Sequence, residues 1–97
     1  MQAQKESLKM INFLMTKSKL INALKDNINE RQEKVLLRMF AEGLKGFTGG
    51  LSADNYIAIS NTTRATATRD LSHLVNKGAL TKTGKLRHTR YWLNLDF

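Results

Sequence analysis

Cysteine and proline are both missing from the 97 residues, and no apolar run is long. Without cysteine there is no disulfide framework, no thiolate nucleophile and no cysteine-based zinc site, a composition suited to a reducing compartment. No stretch approaches the roughly 18 apolar residues needed to cross a bilayer. The opening MQAQKESLKM lacks the continuous apolar segment of a signal peptide, so a cytoplasmic location is expected. There are only two histidines, His73 and His88, each isolated from other candidate ligands. No carboxylate pair and no Ser–His–Asp set is visible, so no catalytic residue, metal site or cofactor is expected.

Acidic groups are scarce as well. Eight Asp and Glu stand against sixteen Lys and Arg, a formal net charge of +8. The excess is uneven: residues 1–28 carry a net of +3, residues 29–60 are neutral, and residues 61–97 hold seven basic and two acidic groups. The neutral middle suits a scaffold. The basic last third suits a surface that meets a polyanion, although cationic surfaces also serve solubility alone. The 41% of hydrophobic residues suffice for one core.

Residues 7–27 hold no glycine, and Leu8, Ile11, Leu14, Met15, Ile21, Leu24 and Ile28 recur three and four apart. That spacing predicts an amphipathic helix of about five or six turns. Asn29 followed by Gln32 predicts a capping box that opens a second helix, with Val35, Leu36, Met39 and Phe40 buried and Gly43 as its stop. GLKGFTGG, residues 43–50, must be a loop. It is no phosphate cradle, because Gly50 is followed by Leu51 and Ser52 where a P-loop has lysine.

Ser52 is a good N-cap for a short helix over 53–60, with Tyr56, Ile57 and Ile59 inward. Asn61 can take the left-handed conformation that a tight helix–helix turn requires. Thr63 then caps a helix over 64–77, and Gly78 ends it. On its wheel Ala67, Leu71, Leu74 and Val75 share the core side. Thr66, Arg69 and His73 share the opposite face beside Ala65 and Ser72, with His73 expected at the surface and Thr68 inward, bonded to a backbone carbonyl. After Gly78 the period changes to two: Leu80 falls in one strand, and Tyr91, Leu93 and Leu95 alternate with Arg90, Trp92 and Asn94 in another. Between them TKTGKLRHTR, residues 81–90, reads as a hairpin with a basic tip. Trp92 is expected to pack on the flank.

The resulting fold class is mainly α with a small β-hairpin: a winged helix-turn-helix over 29–97, preceded by a long N-terminal helix over 1–28. The threonine-rich opening TTRATATRDL, residues 62–71, fits such a recognition helix. Small and hydroxyl-bearing residues let its N-terminal part approach a DNA groove, and the helix dipole favours a phosphate there.

NERQEKVLLRMF, the glycine-rich loop, LSADNYIAIS, TTRATATRDLSHLVNKGAL and GKLRHTRYWL together resemble the C-terminal winged-helix domain of Fic-family proteins, over residues 19–95. The resemblance implies an accessory domain of a protein whose catalytic Fic domain transfers AMP from ATP to a hydroxyl side chain of a target protein. The loop motif H-P-F-x-D/E-G-N-G-R of that catalytic domain is absent, so no catalytic residue carries over and this chain is expected not to be an enzyme. The resemblance also implies that residues 1–28 are the connection leaving the catalytic domain. Their apolar stripe is too long for the small domain to cover, and the remainder is expected to pack on the Fic domain or on a second copy.

Three functions stay open at this point. As a DNA-binding module, Thr66, Arg69 and His73 would face base edges beside Thr63 and Ala65, while Arg64, Lys82, Lys85, Arg87 and Arg90 would meet phosphates. As a regulatory or docking module, the same face would bind protein. As a dimerisation device, the first helix would pair two copies.

Overall fold

The computed structural model describes residues 2–43 and 46–97, with side chains from residue 8 onward. The chain is mainly helical with one two-stranded antiparallel hairpin. Helix α1 spans Gln2–Leu24, α2 Glu30–Ala41, α3 Ala53–Ser60 and α4 Arg64–Asn76; strands β1 (Leu80–Thr83) and β2 (Arg90–Leu93) follow. Among the described residues no helix is long and apolar enough to cross a membrane.

The local signals behave as their chemistry requires. Asn29 and Gln32 form the full capping box, each satisfying the other's backbone N–H, at 2.8 and 2.9 Å. Ser52 and Asn55 do the same for α3. Asn61 sits at φ 54°, ψ 55°, the left-handed turn between α3 and α4. Thr63 caps α4 through the Thr66 N–H at 3.3 Å. The loop expected over 43–50 includes Leu44 and Lys45, which lie outside the described residues; around them Gly43 and residues 46–50 form no helix or strand.

The core gathers Val35, Leu36, Met39 and Phe40 of α2, Tyr56 of α3, Ala67, Leu71 and Leu74 of α4, and Leu80 and Tyr91 of the hairpin. Ile57, Ile59 and Val75 pack against it, partly buried. Leu51 adds a link absent from the pattern of the sequence: it exchanges both backbone hydrogen bonds with Tyr91, at 2.9 and 2.8 Å, and so ties the start of the helix-turn-helix to the hairpin. One apolar residue with no alternating neighbours gives no period to read.

Helix α1 corrects the expected stripe. Its buried side chains are Phe13, Thr16, Leu20 and Leu24. Phe13 meets Phe40 edge-on with centroids 5.3 Å apart, and the Thr16 hydroxyl donates to the Leu95 carbonyl at 3.2 Å. Of the expected set, Leu24 is buried and Ile21 and Ile28 are partly covered, whereas Leu8, Ile11, Leu14 and Met15 are each more than half exposed. The helix is apolar on two sides, so periodicity selected the longer stripe and the core took the shorter. Leu95 is also reassigned: β2 ends at Leu93, and Leu95 lies beyond it, exposed.

Candidate nucleic-acid interface

The position of α4 is set by one carboxylate. Asp70 lies within the apolar arc of α4 and is buried. It accepts from Tyr56 Oη at 2.7 Å, Arg31 Nε at 2.9 Å, Asn29 Nδ2 at 3.1 Å and Arg31 Nη2 at 3.3 Å. Burial pushes its carboxyl up, but the hydrogen bonds from Arg31, Tyr56 and Asn29 outweigh that and hold it below the usual carboxylate range. The same contacts raise Arg31, and burial followed by the bond to Asp70 raises Tyr56. Gln32, buried on α2, adds a bond from Nε2 to the Asp70 carbonyl at 3.0 Å. Thus α2 and α3 grip α4 from its inner side and leave its outer side bare.

Thr63, Arg64, Ala65 and Arg69 are exposed on that outer side, and Thr66 is partly so. Two open grooves flank α4. One, of about 760 Å³, runs along the N-terminus of α2 and is lined by Asn29, Arg31, Thr66, Arg69 and His73 among others. The other, of about 460 Å³, lies between α3, α4 and the hairpin and is lined by Arg64, Lys82, Arg87 and Arg90, with Asp54 as its acidic group. The structure therefore brings the expected base-facing side chains to one groove and four of the expected phosphate contacts to the other. Lys85 stands apart, exposed at the tip of the hairpin.

Several of these groups have partners. Arg64 is paired with Asp54, both well exposed. Arg90 turns Nη1 back to the Arg87 and Thr89 carbonyls, at 3.2 and 2.8 Å, and so braces the hairpin turn as well as adding charge. Gly84 makes that turn feasible: it sits at φ +79°, and a Cβ there would lie 2.2 Å from the His88 carbonyl oxygen. Trp92 packs on the flank, its ring against Gly50, and donates from Nε1 to Thr83 Oγ1 at 2.8 Å.

Two expectations need correction. His73 is half-buried, with Nδ1 2.9 Å from Gln32 Nε2. Gln32 is turned toward α4 because its capping role fixes it at the start of α2, and His73 lies one helical turn from Asp70. Thr68 does bond a carbonyl, that of Arg64 at 3.0 Å, but its side chain is exposed. The back-bond runs along the helix surface and needs no burial. Asp70 and Arg31 take no role from the sequence pattern, and Gln32 takes only its part in the capping box, without its bonds to Asp70 and His73. A carboxylate placed between Ala67 and Leu71 on the inner arc was the available signal.

No family model matches the chain and no curated protein matches it.

Proposed function

We propose that this chain is a non-catalytic winged helix-turn-helix module that binds DNA in the cytoplasm, α4 entering the major groove and the hairpin meeting the backbone. The observation that carries this reading is the outer face of α4, where Ala65, Arg69 and Ser72 are exposed and Arg69 lines one groove, with cations of the hairpin lining a second groove along the same helix. Arg69 would reach a base edge or phosphate, and Arg64, Lys82, Lys85 and Arg87 would neutralise phosphates. The resemblance to Fic-family winged-helix domains supports an accessory role beside an AMP-transferring catalytic domain. The test is a comparison of variants across DNA sequences: Arg69→Ala flattens sequence preference, while Lys85→Ala weakens all sequences about equally. Equal loss from both variants on all sequences would contradict a reading role for α4.

The exposed apolar side of α1 favours a second reading. Leu8, Ile11, Leu14 and Met15 would dock on the Fic domain or pair with a second copy, making the module a regulatory or dimerising device. Sedimentation at high concentration tests the pairing: a concentration-dependent dimer abolished by Ile11→Ser supports it, and a monomer throughout removes it.

A further inference from the structure

Gln32 leaves no choice about the direction of its amide. Its Oε1 receives the Asn29 backbone N–H, which can only donate, and its Nε2 faces the Asp70 backbone carbonyl, which can only accept. Nε2 is therefore the NH2 end, with one hydrogen spent on Asp70 and the second aimed at His73 Nδ1, 2.9 Å away. An NH2 group facing an imidazole nitrogen needs a lone pair there. The proton of neutral His73 then resides on Nε2, the nitrogen that makes no hydrogen bond among the described residues, on a side chain lining the groove beside α4.

We propose that Gln32 acts as a positioning residue that fixes the tautomer of His73, so that His73 presents an N–H donor into the groove next to Arg69. Resting on the DNA reading above, this names the chemistry recognised: an acceptor on a base edge in the major groove, N7 of a purine, O6 of guanine or O4 of thymine, and not cytosine, which offers only an amino group there. The device links the helix cap to the reading surface. The glutamine that closes the α2 capping box is the same group that decides which way the His73 hydrogen bond points.

Long-range proton–nitrogen NMR correlation on the unbound protein reads the tautomer directly, with no variant needed. A protonated Nε2 and unprotonated Nδ1 in neutral His73 are expected, and the reverse assignment overturns the proposal. His73→Ala tests the consequence, because the groove-facing donor is lost while water in the open groove can accept the Gln32 hydrogen. On a randomised duplex library at fixed salt, this variant should keep its helical signal and melting temperature but lose roughly tenfold discrimination against cytosine at one position. Unchanged discrimination, with salt-dependent DNA binding intact, overturns the reading role of His73 and leaves the DNA reading standing. Absence of salt-dependent binding in the parent chain instead overturns the DNA reading and with it any base contact by His73.

Discussion

Four donors converge on the Asp70 carboxylate, from Arg31 twice, Tyr56 and Asn29. Removing that acceptor leaves a buried tyrosine hydroxyl and a guanidinium without their partner, so Asp70→Ala should cost about 2–4 kcal/mol in denaturant unfolding. The pH dependence follows from the same group. Its folded carboxyl titrates below its unfolded value, so the stabilisation is complete above about pH 4 and fades as pH falls through the lower folded value. Acid unfolding of Asp70→Asn should therefore begin from a lower stability and show a shallower decline across that window; an unchanged acid profile would show that Asp70 contributes none of it. Residues differ in how openly they announce themselves. Asn61 was legible because few residues tolerate a left-handed turn between helices. Asp70 was not, because its role depends on Arg31 and Tyr56, which are distant in sequence and come together only when α2, α3 and α4 pack.

At the scale of elements, α2, α3, α4 and the hairpin were readable, since each carries its own start and stop: capping boxes, Asn61, Thr63, Gly78 and a change of period. Helix α1 was readable as a helix but not in its orientation. Two apolar sides compete on it, and only the partner ring of Phe40 identifies Phe13 as the inward residue. Phe13→Ala should then cost about 3 kcal/mol in denaturant unfolding, whereas Leu14→Ser should stay within about 0.5 kcal/mol. The opposite ranking would mean that α1 is rotated about its axis relative to the described core. The candidate site divides similarly. The polar face of α4 and the charge of the hairpin follow from a helical wheel and a count. The pairing of Arg64 with Asp54 and the bracing by Arg90 do not, since both depend on how α3 and the hairpin turn meet their neighbours.

Across the whole molecule the charge is unevenly spread, and the fold keeps it so. The neutral segment supplies α2 and α3, which hold α4 from within, while the basic last third supplies α4 and the hairpin, whose cations line an open groove. If the chain binds DNA as proposed, such an arrangement would attract the polyanion through its charge, and the strength of binding should depend on displaced counterions. Binding of mixed-sequence duplex DNA measured from low to physiological salt decides the matter. With about five phosphates neutralised by Arg64, Lys82, Lys85, Arg87 and Arg90, log K should fall against log salt with a slope near −4 to −5, and Lys85→Ala should make it shallower by about one. A flat dependence on salt would contradict the assignment of α4 and the hairpin as a DNA-binding surface.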